Sequence, residues 1–193
     1  AHLKKPYSFV TTLRISPEEW DDEQQRPANI YEKKYKKLNK KLNAIRVYLA
    51  ESLKSIKDGE QVFCKRTLAR KIKELCMKEQ VEYPSSSLLY YIQQYISNRK
   101  ETICHSTHKR YKVFFHLIER FEGYTMKRLY VDTLDADFIS DFIHFGKEEK
   151  YSANTVYRTI HFVKTILNFV ERKGIRTAVR ELEVRREKQH KEM

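Results

Sequence analysis

Residues 152–174, SANTVYRTIHFVKTILNFVERKG, decide the fold. Val156, Ile160, Val163, Leu167 and Val170 recur at steps of four and three, the spacing that lines one side of an α-helix with apolar groups and turns that side to a core. Asn154, Arg158, His161, Thr165, Asn168 and Arg172 recur at equivalent steps on another side. A face of hydrogen-bonding and cationic groups suits phosphates and base edges. Ser152 is the expected N-cap, and Gly174 stands where a helix of this length needs a permissive residue just past its end.

Three more helices are expected around this one. Leu88 to about Arg99 carries Leu88, Leu89, Tyr91, Ile92, Tyr95 and Ile96 as apolar or aromatic positions. A helix over roughly 105–122, beginning at Ser106 or Thr107, buries Tyr111, Phe114, Phe115, Ile118 and Phe121 and is expected to stop at Gly123. Its first turn offers His108, Lys109, Arg110 and Lys112 beside hydroxyls and free amides, a setting that favours an anion. The fourth, about 134–146, buries Leu134, Phe138, Phe142 and Phe145 and ends near Gly146. Asp132, Asp135, Asp137 and Asp141 cluster at its start, where capping and the helix dipole account for carboxylates better than a magnesium site does.

The N-terminal half reads differently. Residues 3–15 have strand composition, and Ser16-Pro17-Glu18-Glu19 signals a short helix through Trp20. From Asn29 to about Lys57 a long helix is expected, with Tyr31, Tyr35, Leu38, Leu42, Ile45, Leu49, Leu53 and Ile56 as one stripe. Between them stand Lys33, Lys34, Lys36, Lys37, Lys40, Lys41 and Arg46, opposed in that span only by Glu32. So one-sided a charge pattern favours phosphate contact over plain solvation, although the stripe also suits a coiled-coil or hairpin partner. Asp58-Gly59 breaks this helix, and Lys65–Lys78 forms another with Leu68, Ile72 and Leu75 on its apolar side and Lys65, Arg66, Arg70, Lys71 and Lys73 as a positive surface. It reads as a linker helix, with a domain boundary at Tyr83-Pro84-Ser85-Ser86-Ser87. The expected order is therefore 1–60 (strand, short helix, long basic helix), 61–84 (linker and boundary), 85–174 (four helices) and 175–193 (charged linker). The fold class is mainly α: a four-helix bundle preceded by a small α+β region.

Composition narrows the function. The 193 residues hold 39 Lys and Arg against 26 Asp and Glu, a net charge of +13, which attracts polyanions. No run approaches the roughly 18 apolar residues of a membrane span and the N-terminus carries no apolar signal region, so a cytoplasmic protein without membrane contact is expected. Three cysteines, Cys64, Cys76 and Cys104, are too few and too scattered for a disulfide framework. Cys104, His105 and His108 make half of a zinc site without a second pair, and no metal or other cofactor is expected. Gly59, Gly123, Gly146 and Gly174 lie far apart, so no phosphate-cradling loop or small-molecule substrate site is indicated.

In order and spacing, HSTHKRYKVFFHLIERF (105–121), LYVDTLDADFISDFIHF (129–145) and YSANTVYRTIHFVKTILNFVERKG (151–174) resemble the core-binding, SAM-like domain of tyrosine recombinases, the phage-integrase family. ISPEEWDDEQQRP followed by KKLNKKLNAIRVYL resembles the arm-type DNA-binding region of integrases from Bacteroides-like mobile elements. The resemblance implies that the four helices sit on one face of a crossover-site duplex while a separate catalytic domain closes on the other. It further implies DNA contacts from Ser106, Thr107, His108 and Arg110 on one helix and from Ser152, Asn154, Thr155, Arg158, His161 and Lys164 on another, with possible arm-site contacts from Lys36, Lys37, Lys40 and Lys41. Arg158 is the foremost candidate, able to reach phosphate or guanine with two donors, whereas His161 suits a packed imidazole equally well.

The family cleaves DNA with a tyrosine nucleophile, two arginines, a lysine and a His-x-x-Arg motif. No histidine here has an arginine three residues on: Lys164 follows His161, Lys147 follows His144 and Glu119 follows His116. The 13 tyrosines fall mostly on apolar stripes. No catalytic residue is therefore assigned, and bond-breaking is expected of a domain following Met193. The expected function is the double-stranded-DNA-binding portion of a site-specific recombinase acting in DNA integration, with duplex DNA and other recombinase protomers as partners. The alternative is a helical protein-interaction or scaffold module with a basic surface.

Overall fold

The computed structural model describes residues 6–78 and 81–182. They form two compact units: one runs up to residue 82 and takes in Thr125–Lys127, and the other comprises Tyr83–Tyr124 and the chain from Arg128 on. The protein is mainly α-helical, with one small two-stranded sheet.

In the first unit, residues 6–15 carry no regular structure, so the strand expected over 3–15 does not form among its described residues. A strand needs a partner ladder, and this segment instead lends Phe9 and Leu13 to a small core. The pairing occurs further on, where β1 (Trp20–Asp21) and β2 (Arg26–Pro27) run antiparallel with Trp20 opposite Pro27. Pro17–Glu19 is a single 3-10 turn, and Trp20 opens β1 rather than closing a helix.

Helix α1 (Lys33–Lys57) starts later than the sequence suggests. The Asn29 carboxamide oxygen accepts from the Tyr31 amide at 3.1 Å, a local turn that competes with helix. The expected stripe is shortened at both ends, since Tyr31 and Leu53 are exposed, and Asn39 and Asn43 are buried within it. Gly59, with φ +77, ends α1 in the left-handed conformation that only glycine adopts cheaply. Helix α2 (Lys65–Met77), expected as a linker, packs along α1 inside this unit through Ile45, Ile72 and Cys76, with Leu49 and Leu75 beside them.

The second unit holds the other four helices: α3 (Leu88–Asn98), α4 (His105–Thr125), α5 (Asp137–Glu148) and α6 (Ala153–Glu171). Ser87 caps α3, its hydroxyl accepting from the Tyr90 amide. The Leu88 amide donates to the Leu129 carbonyl at 2.8 Å, tying the α4–α5 connection to the start of α3. Helix α4 does not stop at Gly123. A lone glycine costs a helix only about 1 kcal/mol, and burial of the Ile118 and Phe121 side chains of the same turns outweighs that. Helix α5 begins at Asp137, later than expected, with the Asp135 carboxylate accepting from the Phe138 amide at 3.3 Å, and it runs through Gly146 to Glu148.

Aromatic rings fill this core: Phe121 meets Phe138, Phe142 and Phe145 with centroids 5.1–5.7 Å apart. Tyr111 stacks on Phe162 at 4.6 Å, and the Arg120 guanidinium donates to the Tyr151 hydroxyl at 2.7 Å. Residue numbers thus rise along α4 as they fall along α6, so the two helices run in opposite directions. Glu122, 3% exposed, accepts from the Leu129 amide at 2.9 Å and lies 3.7 Å from the Arg128 guanidinium, which satisfies a carboxylate that the core alone would not tolerate.

Candidate nucleic-acid interface

Helix α6 supplies the most ordered polar surface. Its apolar stripe Val156, Ile160, Val163, Leu167 and Val170 is buried, with Phe162 and Ile166 joining it. The opposite positions Asn154, Arg158, His161, Thr165, Asn168 and Arg172 are all exposed. They extend along about 27 Å of helix axis. Ile175 and Gly174, with φ +82, close the helix by donating their amides to Val170 and Glu171, so its polar face ends in a fixed turn.

The candidates on this helix differ in what holds them. Arg158 makes no hydrogen bond or ion pair among the described residues, and its five donors face solvent. His161 is exposed rather than packed against a neighbouring helix. Asn154 is exposed as well. Ser152 and Thr155 build the helix start instead: the Ser152 hydroxyl accepts from the Thr155 amide at 3.3 Å, and the two hydroxyls lie 2.8 Å apart. Lys164 is half-buried at the flank of the polar face. Thr165, Asn168 and Arg172 lie outside the set the family resemblance implies, yet they continue its central line; helical periodicity alone identifies them.

The first turn of α4 is a second cationic locus. His105, Ser106, Lys109, Arg110 and Lys112 are exposed, while Thr107 and His108 are half-buried. Arg110 folds back, donating to the Thr107 hydroxyl at 3.4 Å. Partial desolvation, followed by Lys112, His105 and Lys100, holds the His108 imidazole below its ordinary pKa, so near neutral pH it is uncharged amid cations. Cys104 lies just before this turn with Ser106 and Thr107 hydroxyls at 3.2 and 3.1 Å from its sulfur, and these bring its thiol down to about 7. Because α4 and α6 run in opposite directions, the turn at Ser106 and the turn at Ser152 lie at opposite ends of the pair.

In the first unit, Lys33, Lys36 and Lys37 are exposed on α1. Lys40 and Lys41 are half-buried, and the Lys41 ammonium donates to the Cys76 carbonyl at the end of α2, so it fastens the two helices together. Lys34 pairs with Glu19 at 2.7 Å, which holds its pKa well above the usual lysine value, and the Arg46 guanidinium donates to the carbonyls of Gln24 and Gln25. Lys34, Lys41 and Arg46, three of the nine Lys and Arg of α1, are thereby committed to the fold.

Among the described residues no group of three His, Cys, Asp or Glu side chains is arranged to hold a metal ion, and no helix is long and apolar enough to cross a membrane. Residues 87–179 match the family described as phage integrase SAM-like domain, a span that starts at the cap of α3 and encloses α3 to α6 whole. No curated protein and no solved structure matches the chain.

Proposed function

We propose, from an integrase-type SAM-like domain at residues 87–179, that this chain is the double-stranded-DNA-binding portion of a site-specific tyrosine recombinase of a mobile element. The outward face of α6 carries this reading. It combines Arg158, unpartnered among the described residues, with amide, imidazole and hydroxyl groups at helical spacing, inside the matched span. An arginine can donate two bonds to one guanine or bridge a phosphate, and Asn154 and Asn168 offer the donor–acceptor pair that adenine presents in return. The first turn of α4 contributes the exposed cations Lys109, Arg110 and Lys112 for a phosphate, beside Ser106 and a neutral His108. On α1, Lys36 and Lys37 stand ready for contacts to a separate arm site. In this reading the bundle lies on one side of the crossover duplex, other protomers bind the matching half-sites, and strand cleavage belongs to a separate catalytic domain.

Selection from a randomised duplex pool tests the proposal. The chain enriches a defined motif, and Arg158→Ala weakens binding to that motif by about 5- to 150-fold, the 1–3 kcal/mol expected of a bidentate base contact, with unchanged melting. Failure to enrich any motif, or unchanged motif affinity in Arg158→Ala, refutes it.

A further inference from the structure

Helix α2 carries a cationic face of its own. Arg66, Arg70 and Lys73 recur at steps of four and three, which places them on one side over about 10 Å of helix axis, and all three are exposed. The other cations of α2 are engaged differently: Lys71 lies 3.1 Å from Glu74, and Lys65 lies over the Tyr7 ring at 5.8 Å. Glu74 also takes Lys78 at 3.0 Å. Arg66, Arg70 and Lys73 have no carboxylate partner among the described residues. On α2, then, Lys71 faces a carboxylate and Lys65 a ring, while Arg66, Arg70 and Lys73 form a face without either.

We propose that α2 is a second nucleic-acid-binding helix, whose Arg66, Arg70 and Lys73 follow the phosphate backbone of duplex DNA. The choice of duplex DNA as the polyanion rests on the function proposed above; the cationic face itself does not. Two arginines in three positions favour phosphate, whose oxygens accept a guanidinium's paired donors. Single-stranded nucleic acid is disfavoured because this side holds no aromatic ring on which a base could stack. An anionic membrane is disfavoured because an interfacial helix inserts its apolar side, and here Leu68, Ile72 and Cys76 are already buried. Such contacts carry no base information, so α2 adds affinity for any sequence and salt dependence with it.

The test uses the full chain and a fluorescent duplex of unrelated sequence, titrated across a salt series. Substituting Arg66→Ala, Arg70→Ala and Lys73→Ala together lowers the slope of log affinity against log salt by about 2 to 3 and weakens low-salt binding more than tenfold, while the charge-preserving set Arg66→Lys, Arg70→Lys and Lys73→Arg keeps the slope. Unchanged slope and affinity in the alanine set overturn the proposal, as does a single strand bound as tightly as the duplex. The outcome is separable from that for α6: Arg158→Ala alters motif preference with the slope changed by no more than about 1, whereas the α2 set weakens all duplexes alike.

Discussion

Cys104 shows how much a residue's chemistry depends on its immediate neighbours. Its side chain is exposed, yet Ser106 and Thr107 bring its thiol down to about 7 by donating hydroxyl and first-turn amide hydrogens to the sulfur. Iodoacetamide should therefore modify Cys104 with a half-maximal rate near pH 7, well ahead of buried Cys76, and the double change Ser106→Ala and Thr107→Val should move that midpoint upward. Mass spectrometry after timed alkylation reads both. The linkage has a definite sign. Between about 7 and the ordinary thiol value the unfolded chain still holds a proton that the folded chain has released, so this group adds stability as pH rises through that window and withdraws it as pH falls through about 7. Cys104→Ser should remove this part of the pH dependence of the urea midpoint. The cysteine was visible in the sequence, but its reactivity was not, because it depends on where two rotatable hydroxyls point.

Between elements, the tightest fit is α5 on α6. A Cβ added at Gly146 would lie 2.4 Å from a methyl of Val156, so the two helices approach closely only because position 146 has no side chain. Gly146→Ala should cost about 1–3 kcal/mol in denaturant unfolding as an overpacked core contact, and Val156→Ala in the same chain should recover part of the loss; an additive double mutant would show that the contact is not the cause. The sequence pointed to Gly146 as a helix end, and the structure puts it inside α5. Propensity favoured a stop, but packing against Val156 rewards a glycine within the helix. Gly123 likewise lies buried inside α4 and not at its end, whereas Gly59 and Gly174 do end helices, since both adopt positive φ.

Over the whole molecule the two units have cores of very different size. The second buries an extended set of Leu, Ile, Val and Phe side chains, each contributing about 1.5–3 kcal/mol when fully buried, while the first closes around Ile45, Ile72 and Cys76 with a few half-buried neighbours. The lone tryptophan, Trp20, belongs to the first unit, which provides a selective probe. In a urea titration Trp20 fluorescence should change at a lower midpoint than far-UV ellipticity, most of which comes from α3 to α6 in the matched and larger-cored unit. Coincident curves would mean that the units unfold together and that core size does not rank them.

The sequence by itself determined the mainly helical class, the four-helix order of the second unit and the two faces of α6, because each follows from local periodicity and capping, which act within a few residues along the chain. Arg158 and its polar neighbours could therefore be placed on one face from spacing alone, while for His161 only the structure decided between that face and a packed imidazole. Only the tertiary structure decided which cations remain available. Glu19 reaches Lys34 across 15 positions and the Cys76 carbonyl reaches Lys41 across 35, and only the folded chain brings such partners together. It likewise decided that residues 6–15 join a core instead of a sheet, that α2 packs on α1, and that the starts of α4 and α6 stand apart, since pairing, packing and helix direction are settled by contacts between segments distant in the chain.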